Sequence, residues 1–290
     1  MDDLDFLAKS PKPALLEKVP LDPVAAQDFF ASHGKEEAIE AGEVIFAENS
    51  KSKSLLFQRS KMYLLLEGTI DLSVKDQVIG SVYAGEIFGE MASLTQMPRT
   101  ATATAETDCR VIAMDDKQFR NALKEKPEFA LTLMAMMTRR LREMLNELDL
   151  DGMHTEVLDD GKYPMLGKNL LSGLQDELGE NAVMRYREGH YILEAGQSGL
   201  FMYIVLEGQV SIRMHETIVE EIGPGGIFGE MALVDRGERM ASAIADNDCA
   251  VLAVNRNTFL DMVRSNPDFG YAILSTIGER LRIVASGFAE

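Results

Sequence analysis

Basic residues are scarce in this chain of 290 residues: 29 Lys and Arg stand against 47 Asp and Glu, for a formal net charge of −18 and a pI near 4.7. Such a field repels DNA, RNA and anionic lipid, whose binding rests on clustered cations, so direct nucleic-acid and membrane binding are disfavoured. Long apolar runs are missing too. No stretch of about 20 apolar residues is present to cross a bilayer. The opening Met1-Asp2-Asp3-Leu4-Asp5 lacks the basic and apolar regions of a secretory signal, and a cytoplasmic location is expected. There are only two cysteines, Cys109 and Cys249, each followed by alternating apolar residues such as Val111 and Ala113 or Val251 and Ala253. Two buried thiols suit that pattern better than a disulfide. The four histidines, His33, His154, His190 and His215, are scattered without a metal-ligand spacing, which argues against a metal-dependent barrel enzyme. No metal site, no cofactor and no catalytic residue are expected.

What the chain does have is a repeat. Phe88-Gly89-Glu90-Met91-Ala92, followed by Arg99, recurs as Phe228-Gly229-Glu230-Met231-Ala232, followed by Arg239, and each matched pair is 140 positions apart. The register extends from Met62-Tyr63 against Met202-Tyr203 through Pro127 against Pro267 to Arg140-Leu141-Arg142 against Arg280-Leu281-Arg282. A period this long points to two duplicated domains, because solenoid and propeller repeats run at about 20 to 50 residues. Length agrees, since single cores stop growing near roughly 250 to 300 residues.

Each half begins with a helix, Pro23 to Ser32 behind Asp22 as N-cap and Lys168 to Leu178 in the second copy. Short strands broken by Gly, Asn and Asp follow. They are Val44 to Phe46, Tyr63 to Leu66, Ile70 to Val74 and Thr100 to Ala105, then Tyr191 to Leu193, Tyr203 to Leu206, Val210 to Met214 and Met240 to Ala245. Each half closes on helices, Lys117 to Glu125 and Pro127 to Leu148, then Arg256 to Ser265 and Pro267 to Phe288. Pro127 and Pro267 suit a first helical turn, where a missing N–H costs nothing. Ala130, Met134, Met137, Leu141, Met144 and Leu148 form a seam, repeated by Leu274, Ile277, Leu281, Val284 and Phe288, that can pack on its own barrel or zip to another helix. The first half also carries a seven-residue extension around Ser50 to Ser54: twelve residues separate Asn49 from Met62, against five between Gly196 and Met202.

Chemically, a helix starting at Gly89 offers unpaired N–H groups to an anion, and Gly89 and Ala92 are small enough to let a phosphate approach. Arg99 would add a charge-assisted fork to the same phosphate. Glu90 cannot serve a phosphate dianion and is suited to accept from a sugar hydroxyl. The combination selects a singly charged phosphate fixed close to a free ribose hydroxyl, as in a 3′,5′-cyclic nucleotide.

Through these motifs the sequence resembles the cyclic-nucleotide-binding domain family, from near Gly42 to Leu148 and from Gly189 to Glu290. The resemblance implies an α+β fold of two tandem β-rolls, jelly-roll-like double-stranded β-helices flanked by helices. They would occupy residues 1–150 and 167–290, joined by a linker over 151–166. It also implies that the ligand, cAMP or cGMP at up to two per chain, is held by Gly89, Glu90, Met91, Ala92, Arg99 and Thr100 in the first site. Gly229, Glu230, Met231, Ala232, Arg239 and Met240 are the counterparts in the second. Glu would bind the ribose 2′-hydroxyl and Arg the cyclic phosphate. A Thr after the Arg can contact guanine in this family, so Thr100 leaves the first site open to cGMP; Met240 has no such donor, and cAMP is favoured for both.

A non-catalytic regulatory receptor is therefore expected, acting on an effector protein in trans, with a homodimer conceivable through the long helices; a ligand-independent scaffold is the alternative. A helix-turn-helix after the second long helix is not expected, nor a basic inhibitory segment in residues 1–41, which contain no Arg.

Overall fold

The computed structural model describes residues 22–50, 60–147, 165–215 and 217–287. In the first repeat, helix α1 (Pro23–His33) is capped by Asp22, whose carboxylate accepts from the Val24 N–H at 3.0 Å. Eight strands follow: β1 (Lys35–Ile39), β2 (Val44–Phe46), β3 (Lys61–Glu67), β4 (Thr69–Val74), β5 (Gln77–Tyr83), β6 (Ile87–Phe88), β7 (Thr102–Ala105) and β8 (Cys109–Asp115). The short helix α2 (Glu90–Thr95) lies between β6 and β7, and α3 (Asp116–Glu125) and α4 (Phe129–Glu147) close the unit. Two antiparallel four-stranded sheets, ordered β1-β8-β3-β6 and β2-β7-β4-β5, form the roll.

The second repeat reproduces this with α5 (Lys168–Leu178), a short 3₁₀ turn, β9 (Val183–Tyr186), β10 (Tyr191–Leu193), β11 (Phe201–Glu207), β12 (Val210–Met214), β13 (Thr217–Ile222) and β14 (Ile227–Phe228). After these come α6 (Glu230–Asp235), β15 (Ser242–Ala245), β16 (Cys249–Asn255), α7 (Arg256–Ser265) and α8 (Pro267–Gly287). Its sheets run β14-β11-β16-β9 and β10-β15-β12-β13. The α+β, two-roll expectation holds.

Strand alternation explains how each roll is both filled and attached. In β3 the side chains of Tyr63 and Leu65 enter the roll, while Met62 and Leu64 point the other way, toward the helices; Tyr203 and Val205 against Met202 and Ile204 do the same in β11. Cys109 and Cys249 are buried free thiols inside their separate rolls. Burial pushes the Cys249 thiol pKa up.

The outward-facing residues of both rolls merge with α4 and α8 into one common core. These two helices answer the question left by their apolar seams. A Cβ placed on Gly270 would lie 3.5 Å from that of Ala130, and one on Gly278 would lie 3.4 Å from Met137 Cε, so the helices run parallel and nearly in register. Met134, Met137 and Leu141 are buried along with Leu274, Ile277 and Leu281. The seam that could have joined two chains is closed within one. Each long helix also reaches the other repeat, α4 packing on α6 and α8 on α2. Tyr271 and Ser275 of α8 donate to the Leu94 carbonyl of α2, at 3.2 Å each.

Two expectations shift. Pro267 does open α8, where the Asn266 side chain accepts from Phe269 N–H at 3.2 Å. Pro127 stands in a turn before α4, which starts only at Phe129; Lys126, where the second repeat has Asn266, has no side-chain acceptor to cap a helix opening at Pro127. Leu166, at the end of the expected linker, is buried and its N–H bonds the Gly225 carbonyl at 2.9 Å. The rest of the connector, the bulk of the Ser50 to Ser54 extension, Leu148 and Phe288 lie outside the described residues.

Candidate functional site

The two motifs build the same backbone device. Gly89 and Gly229 take φ of 71° and 79°, left-handed values that an L side chain resists, and turn the chain sharply from β6 or β14 into α2 or α6. The turn aims each glycine carbonyl at the motif arginine. Arg99 donates through Nη1 to Gly89 O at 2.8 Å and through Nη2 to Lys61 O at 2.7 Å; Arg239 donates to Gly229 O at 2.6 Å and to Phe201 O at 2.5 Å. A Cβ on either glycine would lie 2.8 Å from the arginine Nη1, so a side chain here would press on the guanidinium as well as strain the left-handed backbone.

Both arginines are buried, at 7% and 8% exposure, and neither makes an ion pair among the described residues. Burial pushes both guanidinium pKa values below the ordinary one. Tyr63 and Glu90 oppose this for Arg99, Tyr203 and Glu230 for Arg239. Two cations have thus been taken out of water with carbonyl dipoles but no bonded carboxylate for compensation, an arrangement that favours an arriving anion.

The glutamates are buried as well, and here the copies diverge. Glu230 accepts from Arg280 Nη1 at 2.6 Å through Oε1, while its buried Oε2 has no hydrogen-bond partner. Arg280, on α8, is itself gripped by Glu220 of β13 at 2.9 and 3.0 Å and donates to the Ile227 carbonyl at 2.7 Å. Burial alone would lower the Arg280 pKa; the two carboxylates more than offset it and raise the value, so the charge is held. In the first repeat, Arg140 of α4 approaches Glu90 only to 3.4 Å and is 39% exposed. Gly80 pairs with Leu72 on β5 where Glu220 pairs with Ile212 on β13, so that position supplies no second carboxylate.

All six residues expected for the second site, Gly229, Glu230, Met231, Ala232, Arg239 and Met240, line one cavity of about 120 Å³. Its apolar wall includes Leu193, Ile212, Val219, Ile283 and Val284, together with Leu141 and Leu145 of α4 in the other repeat. Arg142 of α4 pairs with Asp235 at the end of α6 and holds this wall in place, with Nη2 to Oδ1 at 3.1 Å. The cavity is smaller than the roughly 300 to 1,000 Å³ usual for ligand pockets, so a nucleotide-sized molecule requires the wall to yield.

In the first site, Arg99 bonds Gly89 and lies near Glu90 as Arg239 does Gly229 and Glu230, with Ala92 on the short helix α2 and Thr100 directly after Arg99. Met91 is buried in the core shared with the helices, against which Met231 also packs. Phe46 covers Arg99 with its ring centroid 4.0 Å from the guanidinium carbon, where the second repeat has Leu193. The extension leaves next to this site, since the Ser50 carbonyl accepts from Arg99 N–H at 3.2 Å.

Sequence reasoning did not single out Glu220, Arg280, Asp235 or the cross-repeat role of Arg142. Arg140 and Arg280 did stand in the repeat register, and an arginine kept at the same place in two helices was the available signal. No helix among the described residues is long and apolar enough to cross a membrane, and no group of three or more His, Cys, Asp or Glu among them is placed to hold a metal ion.

Residues 36–126 and 183–266 both match the family described as the cyclic nucleotide-binding domain. The chain is similar to the cAMP-dependent protein kinase type II regulatory subunit of Drosophila melanogaster, 32% identical over 206 residues, 69% of this chain and 47% of that protein. It is 26% identical over 249 residues to the cGMP-dependent protein kinase egl-4 of Caenorhabditis elegans, covering 82% of this chain and 29% of the kinase. To the cyclic AMP receptor protein of Thermus thermophilus it is 35% identical over 128 residues, 41% of this chain and 59% of that one. The chain spans less than two thirds of each relative.

Proposed function

Because the chain belongs to the cyclic nucleotide-binding domain family, we infer that it is a non-catalytic receptor that holds one 3′,5′-cyclic nucleotide in each repeat and reports occupancy through α4 and α8. The observation that carries this reading is the pairing, in one cavity, of the buried Arg239, which has no ion-pair partner among the described residues, with the unpartnered Oε2 of the buried Glu230. A cyclic phosphate supplies the single negative charge that Arg239 lacks. A ribose hydroxyl supplies the donor that Glu230 Oε2 lacks.

The ligand is cAMP at both sites, with the first also open to cGMP through Thr100. The apolar wall around Met240 supports adenine in the second site, since it offers few polar partners to the carbonyl and amino edge of guanine. Entry of the ligand displaces Leu141 and Leu145 from their present position and strains the Arg142–Asp235 pair, which couples binding to the packing of α4. Such a ligand shifts the helix equilibrium only by its unequal affinity for the two arrangements. The signal then passes to an effector protein in trans.

Isothermal calorimetry of nucleotide-stripped protein against cAMP and cGMP is the test. Saturable binding is expected with cAMP. Absence of binding at millimolar nucleotide contradicts the reading, as does a hydrodynamic radius and helix packing that never change with ligand.

A further inference from the structure

Glu220 belongs to no motif, yet it is the most heavily engaged acid near either site. Its two oxygens accept from Nε and Nη2 of Arg280 at 2.9 and 3.0 Å, and it is only 6% exposed. This fork fixes the guanidinium plane, because planar bidentate pairing leaves little rotational freedom. The remaining Nη1 then meets Glu230 Oε1 at 2.6 Å. The chain of contacts ends on Glu230 Oε2, buried and without a partner.

Position 80 of the first repeat is glycine, and every downstream feature of that chain of contacts is weaker. Arg140 has no carboxylate from position 80 to meet, is 39% exposed and reaches Glu90 at 3.4 Å, the outer limit of a hydrogen bond. We propose that Glu220 is a positioning residue: acting through Arg280, it fixes the Glu230 carboxylate with one oxygen engaged and the other presented, so that the second site selects for a ligand hydroxyl more strongly than the first. The inference rests on the receptor reading above and adds to it a residue outside both motifs and a ranking of the two sites.

The experiment uses the full chain with one site silenced at a time, Arg99→Ala to report the second site and Arg239→Ala to report the first. Calorimetric affinities for cAMP and 2′-deoxy-cAMP give a discrimination ratio for each. Loss of a hydrogen bond to a charged, preorganised acceptor predicts a ratio of about 10 or more at the second site, and a smaller one at the first.

Glu220→Gln should lower the second-site ratio at least about threefold, toward the first-site value, because the Glu230 carboxylate stays charged but is no longer held in one orientation. A purely structural role would change stability and both affinities together and leave the ratio untouched. The reverse variant covers the case in which Glu220→Gln does not fold. A Cβ on Gly80 would meet no atom within 4 Å, and this glycine does not use a left-handed φ, so Gly80→Glu fits and should raise the first-site ratio. Equal ratios at the two sites, or ratios unmoved by both variants in protein that still binds cAMP, overturn the role of Glu220 and leave the receptor reading standing. Failure of the Arg99→Ala and Arg239→Ala chains and of the unaltered chain to bind either nucleotide overturns both.

Discussion

The second site is locked where the first is loose. Both present the same left-handed glycine, the same carbonyl-bound arginine and the same buried glutamate, yet α8 is tied to its own roll by three groups on Arg280 while α4 touches Glu90 through a half-exposed arginine at 3.4 Å. The cross-repeat ties differ as well. Arg142 of α4 finds Asp235 beside the second site, whereas Arg282 of α8 pairs along its own helix with Glu279, because Thr95 stands where Asp235 does. A duplicated motif therefore does not give duplicated behaviour. One difference in the hairpin, Glu220 against Gly80, ties α8 to its own roll, and one at the end of the short helix, Asp235 against Thr95, ties α4 to the other repeat.

The largest expected effect tests that anchoring. Arg280→Met leaves Glu220 and Glu230 buried without their cation and should lower unfolding stability by about 3 to 5 kcal/mol in urea denaturation. Arg140→Met removes an arginine that is 39% exposed and 3.4 Å from Glu90, with no second carboxylate on it, and should cost clearly less. Similar losses in the two variants would erase the contrast between the helices.

Removing the motif arginines addresses what the copies share. Arg99→Ala and Arg239→Ala should each weaken cyclic nucleotide binding about 10- to 150-fold at the altered site, the equivalent of one charge-assisted contact. Unchanged calorimetric titrations for both variants would remove the phosphate role of these residues.

A smaller and equal effect is expected from the two glycines. Gly89→Ala and Gly229→Ala meet the same 2.8 Å approach to Nη1 and the same positive φ, so thermal unfolding should report a loss of about 1 to 2 kcal/mol for each. A large difference between them would show that the backbone device is not shared.

The smallest effect concerns the base. Exchanging the residues after the arginines, Thr100→Met and Met240→Thr, should move the cGMP-to-cAMP affinity ratio down at the first site and up at the second. About 0.5 to 1.5 kcal/mol, one neutral hydrogen bond, is the scale expected in competition binding. A ratio that does not move assigns base choice to the α4 and α8 wall instead.

Local signals made much of this structure legible in the sequence. Lys168–Leu178, Arg256–Ser265 and Val44–Phe46 begin and end where caps, periodicity and Gly or Asn punctuation place them. Several strands were missed, among them the apolar Cys109–Asp115 and Cys249–Asn255 and two others with weak local signals. β1, Lys-Glu-Glu-Ala-Ile, is a charged strand at the edge of its sheet with only Ile39 buried, and β5 exposes Val78 and Ile79 around Gly80. In both, cross-strand pairing decides the conformation against local preference.

The motif residues of the site were legible for the same reason that the repeat was: they are close together in sequence and appear twice. Glu220, Arg280 and Glu230 are separated by up to 60 residues and meet only because α8 crosses back over its roll, so no periodicity announces them. The clue lay in a mismatch within the repeat, Gly80 against Glu220, beside a match, Arg140 against Arg280. The helix seams were legible as seams. Their partner was not, since the same spacing serves a helix in the same chain or in another.

The central claim, two cyclic nucleotide sites built from buried arginine and glutamate pairs, is tested most directly by the stoichiometry of cAMP binding to nucleotide-stripped protein in isothermal calorimetry. Two equivalents per chain are predicted, falling to one in either Arg99→Ala or Arg239→Ala at ligand concentrations that saturate only an intact site. No binding at millimolar cAMP, or a stoichiometry that neither substitution alters, would contradict it.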